Sequence, residues 1–489
     1  MKLPAAAPVD AVKFCEFVTA SPTPFHAVAN LCKRLAKAGF ERVSEREPDE
    51  SLVPGGKYFY TRNQSALVAF TLPPKGVAGP GATSMAVGHL DSPCLKVRPV
   101  SKKTKAGYLQ VGCELYGGGL WHTWFDRDLS VAGRVVVSQR GGGFASKLVK
   151  IDRPILRVPT LAIHLDRTAN DQFKFNKETE FLPILGLVNE TLNATAAASR
   201  PGTPSGAATP KEKGDNFNRA GATSVEEKHH PLLLAVLADE LGCNIDDIND
   251  FELCLYDTQP SAVGGLNNEF IFSPRCDNLM TCFASIEGIC NAVEAEAATG
   301  KASEEENIRC VILFDNEEVG SVSNHGAESN LLPSFVEKVS GMTKRGYYQV
   351  LANSFLISAD MGHAVHPNYE ARYEANLAPR MNQGVVIKTN ANQRYTSNAQ
   401  TTFLLRRIAQ RAGVPVQDFE VRNDCSCGST VGPHLSTHVR TVDIGLAQLS
   451  MHSIRETAGS GDVKHYIQLF KTYFEVFSQV DAELKVDEF

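Results

Sequence analysis

Apolar residues first fall into a helical period near the start of the chain. Phe25, Val28, Leu31, Leu35 and Phe40 lie three to five residues apart and Gly39 ends the run, which predicts one amphipathic helix. Short runs come next that have no helical period: Tyr58 to Thr61, Ala66 to Leu72 and Ser84 to Leu90, then Tyr108 to Tyr116 and Val131 to Ser138. Their Val, Tyr and Gly content predicts strands. From residue 277 the pattern becomes regular. Leu279, Phe283, Ile286, Ile289, Cys290 and Val293 mark one helix face, and Ile308 to Phe314 is continuously apolar, as in a strand buried on both sides. Phe355 to Ala359, Gly384 to Lys388 and Val442 to Leu449 read as further strands, with helices over Phe403 to Ala412 and Val463 to Val480. Strands alternating with helices predict an α/β fold, a mostly parallel mixed sheet flanked by helices.

One stretch breaks the pattern. Residues 194–228 are small, polar and rich in Ala, Pro, Gly and Ser. They offer too little apolar surface to offset chain entropy, which predicts a mobile surface loop. No internal repeat is visible. A length of 489 residues is too great for one ordinary core, so two domains or one large domain with an insertion is expected.

Composition narrows the function classes. Lys and Arg number 49 against 55 Asp and Glu, a net charge of −6, which argues against a phosphate-binding, nucleic-acid role. No apolar run reaches the roughly 20 residues of a membrane helix, and the first residues lack the long apolar centre of a secretory signal. A cytoplasmic location is expected. The 12 cysteines are scattered, mostly in apolar segments, and read as buried reduced thiols. Cys425 and Cys427 form a lone CxC with His434 and His438 downstream, a weak spacing for zinc without a CxxC pair.

The chemistry concentrates where the predicted strands end, because open α/β sheets place ligands at the carboxyl ends of their strands. His89-Leu90-Asp91 ends one strand, Asp315-Asn316-Glu317-Glu318 comes after the next, Asp360-Met361-Gly362-His363 after a third, and Met451-His452-Ser453 after a fourth. Singly, each reads as a surface histidine, a helix-end acid or a cap. Jointly they are harder to explain so, since adjacent carboxylates beside a buried strand repel and resist desolvation, and a divalent cation relieves both costs. A His/Asp/Glu set without Cys suits hydrolytic Zn, Mn or Co, and two such ions need a bridging carboxylate. In an extended segment His89 and Asp91 point to the same side, so Asp91 can accept the second ring N–H of His89. Of Glu317 and Glu318, one can ligate while the other serves as general base.

Five ordered motifs, GHLDSPCLKVRP, PRCDNLM, FDNEEVGS, SADMGHAVHPNY and SMHSIRE, closely resemble those of the aspartyl aminopeptidases, the M18 family of cocatalytic zinc peptidases. The resemblance spans nearly the whole chain. It implies two Zn2+ per subunit, with Mn2+ or Co2+ possible at one site: His89 and Asp360 on one ion, Glu318 and His452 on the other, Asp277 bridging. It implies Glu317 as general base and acid and Asp91 as support for His89. Positions that contact substrate would be His363, Lys388 and Tyr395, with Glu317, Asp360, and His164 from a neighbouring subunit. GSTVGP, Gly428 to Pro433, matches a family segment near the site. The implied architecture is a catalytic domain of residues 1–100 and 258–489 interrupted by a β-rich dimerisation domain of residues 101–257, assembling through dimers into a tetrahedral dodecamer. The implied activity is removal of N-terminal Asp or Glu from peptides, with Lys388 facing the acidic side chain. Two rivals remain at this point: an assembly or cargo protein that keeps the fold with altered catalysis, and another dinuclear hydrolase such as a carboxypeptidase or deacylase.

Overall fold

The computed structural model describes residues 6–47, 52–74, 81–188, 224–300, 305–341 and 346–486. The chain forms two compact units, one of residues 1–92 with 260–489 and one of residues 93–259. A domain cut after residue 100 would fall inside the strand Cys94–Lys105.

The first unit is built on a nine-stranded mixed sheet. Its order is Glu41–Arg42, Lys57–Arg62, Ala66–Thr71, Ile308–Phe314, Thr83–His89, Phe355–Ala359, Arg440–Gly445, Val385–Lys388 and Val416–Phe419. The strands Ile308–Phe314, Thr83–His89, Phe355–Ala359 and Arg440–Gly445 are parallel to one another, so their carboxyl ends share one rim. The run Ile308–Phe314 is apolar throughout because both faces are covered. Val311 and Leu313 pack into a core with the helices Val9–Thr19, Pro24–Lys37, Cys276–Thr299, Ala399–Ala412 and Asp462–Asp481. Ile308, Cys310, Ile312 and Phe314 face the helices Leu331–Ser340 and Tyr347–Asn353. This is the two-faced covering that a largely parallel sheet requires. The helix Pro24–Lys37 starts where Thr23 caps it and Pro24 fits the first turn.

The expected strand Val442 to Leu449 is two strands. Arg440–Gly445 stays in the large sheet, and Ala447–Leu449 joins a separate five-stranded sheet ordered Ala262–Gly264, Phe270–Ser273, Glu456–Gly459, Ala447–Leu449, Gly362–His363. The break comes after Gly445, where a Cβ would sit 1.9 Å from the Asp360 carbonyl oxygen, so only glycine admits that backbone.

The second unit is a six-stranded antiparallel sheet, Phe144–Lys150, Leu129–Ser138, Ile248–Asp257, Cys94–Lys105, Tyr108–Tyr116 and Ile184–Leu187. Most of the expected 194–228 loop lies outside the described residues. Its end is ordered, contrary to expectation: Val225–Lys228 is a helical turn, closed by a capping box between Ser224 and Glu227. Among the described residues no helix is long and apolar enough to cross a membrane. Seven of the 12 cysteines are buried.

Candidate metal centre

The parallel rim brings the strand-end residues together. His89 ends its strand opposite Phe314, and Ser358 pairs with Val87, which sets Asp360 level with His89. After Phe314 the chain turns through Asn316, whose φ of 62° is left-handed, and carries Glu317 and Glu318 to the same rim. Asn tolerates that conformation better than most residues. Asp277 stands at the start of the helix Cys276–Thr299, where its φ/ψ of −81° and 107° depart from helical values. His452 sits in a left-handed turn, φ 65°, beyond the strand Ala447–Leu449.

The ring of His89 is oriented from behind: Nδ1 lies 3.0 Å from the Asp91 carbonyl oxygen, leaving Nε2 to face the rim. Sequence spacing assigns this partner to the Asp91 carboxylate. That carboxylate instead accepts the main-chain N–H groups of Glu317 and Glu318, both at 3.1 Å, with Oδ1 at 3.4 Å from Nδ1. The turn through Asn316 presents two amides there, and the ring Nδ1 is already engaged by the Asp91 carbonyl.

Each imidazole Nε2 faces two carboxylate oxygens. For His89 they are Asp277 Oδ1 at 3.4 Å and Asp360 Oδ1 at 3.5 Å, with Glu317 Oε2 at 3.8 Å. For His452 they are Asp277 Oδ2 at 3.4 Å and Glu318 Oε1 at 3.3 Å. Asp277 therefore offers one oxygen to each group. Asp277 Oδ1, Asp360 Oδ1 and Glu318 Oε1 are buried without a hydrogen-bond partner. Zinc–ligand bonds of about 2.0–2.1 Å in tetrahedral geometry set neighbouring ligand atoms about 3.3–3.4 Å apart. The donor types, their spacing and the orphaned oxygens fit divalent metal; His89, Asp277 and Glu318 alone already form a compact three-residue set.

Electrostatics point the same way. Burial, with repulsion from neighbouring acids, pushes the Glu317 carboxyl up to about 7 and raises those of Glu318 and Asp360. Burial also opposes charge on His452, but Asp277 and Glu318 outweigh it and push the imidazole up to about 10. Crowded acids that draw protons this strongly also draw metal cations.

Beside this set, Lys388 is 1% exposed. Its Nζ donates to the Met361 carbonyl at 2.7 Å and stands 5.3 Å from the centre of the Tyr395 ring. Among the described residues no carboxylate comes within 4.0 Å of that ammonium. Tyr395 is buried, whereas His363 is exposed, its ring 6.1 Å from that of Phe419. GSTVGP packs on Asp443, which accepts the Thr430 hydroxyl at 2.7 Å. His164 belongs to the 93–259 unit, exposed on a turn. Among the described residues the CxC pair gathers no ligand set: His434 pairs with Glu328 at 2.9 Å, and Cys427 packs against the apolar group around Tyr395. Sequence reasoning missed Glu456, a buried acid whose carboxylate touches the backbone of both Asp277 and His452. Its sequence signal is its place as the last residue of the SMHSIRE motif, four positions after His452.

The family described as Aminopeptidase I zinc metalloprotease (M18) matches residues 17–474, and the chain belongs to it. It is thus an aminopeptidase of the zinc metalloprotease class, acting on peptides. More particularly, it is similar to the aspartyl aminopeptidase of Aspergillus oryzae, with 49% identity across 98% of both chains. Among solved structures it resembles a chain in a cryo-EM structure of the Ape4 and Nbr1 complex, with TM-score 0.88 and 44% identity over 98% of this chain and 88% of that one. It also resembles the dodecamer structure of mApe1 from S. cerevisiae, with TM-score 0.80 and 28% identity over 97% and 98% of the two chains.

Proposed function

We propose that the chain removes N-terminal Asp or Glu from peptides at a centre of two zinc ions. The observation that carries this reading is the pair of imidazoles, each facing two carboxylate oxygens 3.3–3.5 Å away and sharing Asp277 between them. His89 and Asp360 would hold one ion, Glu318 and His452 the other, with Asp277 bridging; Mn2+ or Co2+ could replace zinc at one position. When bound, the ions supply an acidified water and polarise the scissile carbonyl. Glu317 takes the proton from the water that attacks this carbonyl carbon. As the C–N bond breaks, Glu317 returns that proton to the leaving nitrogen, a role suited to a carboxyl raised to about 7. Asp91 fixes the main chain of Glu317 and Glu318. The substrate α-amine lies against Glu317 and Asp360, and His164 from a neighbouring subunit stabilises the oxyanion.

Acid selectivity belongs to Lys388. A buried ammonium with no carboxylate partner calls for an anionic ligand, because an uncompensated buried charge is costly. Tyr395 walls this pocket and His363 lines its approach. Names of relatives support the acid preference, and the dodecamer reported for mApe1 supports self-assembly of this chain. In this reading the 93–259 unit makes dimers, and the dimers build a tetrahedral dodecamer. Cysteines scattered through apolar segments and mostly buried accord with a reducing, cytoplasmic setting.

The test is a peptide panel. An Asp-peptide with a free amine should be cleaved faster than its Ala counterpart, and its N-acetylated form should be inert. Cleavage of the acetylated peptide would transfer the site to the deacylase or carboxypeptidase class.

A further inference from the structure

Glu456 opens the strand Glu456–Gly459 in the five-stranded sheet, opposite Ser273, and is 3% exposed. Its Oε2 accepts the Asp277 main-chain N–H at 3.1 Å. Its Oε1 accepts the His452 main-chain N–H at 2.9 Å and the Gln448 side-chain N–H at 3.1 Å. Among the described residues no lysine or arginine ion-pairs with it. A buried carboxylate without a cation is a costly way to stabilise a fold. Here both oxygens hold the backbones of two residues whose side chains face each other at 3.4 Å, Asp277 and His452. Neither backbone is helical at that point: Asp277 departs from helical φ/ψ and His452 is left-handed.

We infer that Glu456 is the positioning residue of the metal centre, clamping the Asp277 and His452 backbones so that both side chains meet at one ion. The inference rests on the two-zinc reading above. Both Glu456 oxygens are engaged by N–H groups of Asp277, His452 and Gln448, so Glu456 acts through those residues. An amide in its place has a single acceptor oxygen, so one of the two backbone clamps must be lost whichever way it turns.

The test is zinc affinity, read by competition with a chromophoric chelator on the full-length protein. Glu456→Gln should bind the ion held by His452 and Glu318 about 10- to 100-fold more weakly, because both clamped residues serve it, with a smaller loss for the His89 ion, which Glu456 reaches through Asp277 alone. Glu305→Gln is the control. Glu305 is equally buried and accepts two main-chain N–H groups, from Asn307 at 3.0 Å and Ser478 at 2.9 Å, but lies at the opposite strand end. It should alter stability without altering either zinc constant. Should Glu456→Gln fail to fold, Gln448→Met, which removes only the side-chain donor to Glu456, should weaken the same ion by a smaller factor. Wild-type protein that binds fewer than two ions would overturn the two-zinc reading. Two ions in wild type with unchanged constants in Glu456→Gln, or in Gln448→Met if that variant stands in, would overturn the clamp alone.

Discussion

Replacing Lys388 with Met keeps the length and apolar stem of the side chain and removes the ammonium. The ammonium is buried and gives one hydrogen to the Met361 carbonyl; the others would serve an acidic ligand. A hydrogen bond to a charged partner is worth about 1.5–3 kcal/mol. At about 1.36 kcal/mol per factor of ten, kcat/KM for an Asp-peptide should fall roughly 10- to 150-fold. An Asn-peptide of the same shape should change little, because it offers no charge. The assay is kcat/KM for matched Asp, Asn and Ala peptides with wild type and Lys388→Met, alongside zinc content. The orphaned Met361 carbonyl should also lower stability by about 1 kcal/mol, visible in Tm and separable from catalysis. An unchanged Asp-to-Asn ratio would refute the reasoning, and so would an equal fall on all three peptides.

Glu317→Gln should keep its full zinc content while turnover drops about 100- to 10,000-fold, checked by metal analysis and rate together. Mixing His164→Ala with Glu317→Gln protein, under conditions of verified subunit exchange, should restore partial activity if a site draws His164 from a neighbour; no recovery would place each site within one subunit. His229 supplies a pH test of stability. Burial, with Lys228 nearby, lowers its pKa to about 4, while its ring bonds the Ser101 hydroxyl at 2.8 Å. The folded state thus favours the neutral ring. Its contribution is complete above pH 6.5 and is lost as pH falls toward 4, about 3 kcal/mol in all. Denaturation of His229→Asn across that window should show a shallower pH dependence than wild type; equal slopes would exclude His229 as the cause.

Long elements were legible in the sequence because their burial is periodic or complete. Ile308–Phe314 and Phe355–Ala359 match the expected strands residue for residue, and Asp462–Asp481 extends the expected helix by one residue at each end. The five-stranded sheet was not legible, since its strands are two to four residues long and pair residues as distant in the chain as Phe270 and Gly459. No local period survives in pieces so short. The same limit hid the break after Gly445, whose cause is the approach of the Asp360 carbonyl, just past the end of the strand Phe355–Ala359. Strand-end logic reached His89, Glu317, Glu318, Asp360 and His452. Asp277 stands at a helix start and came only from the family resemblance. Glu456 ends the SMHSIRE motif, but nothing local reveals its role, which is to accept main-chain N–H groups from the neighbouring His452 turn and from Asp277 far along the chain.

Anomalous diffraction at the zinc edge, on crystals of zinc-loaded protein, tests the central claim most directly. Two peaks should appear, one among His89, Asp277 and Asp360 and one among His452, Asp277 and Glu318. A single peak, or peaks that leave Asp277 uncoordinated, would contradict it.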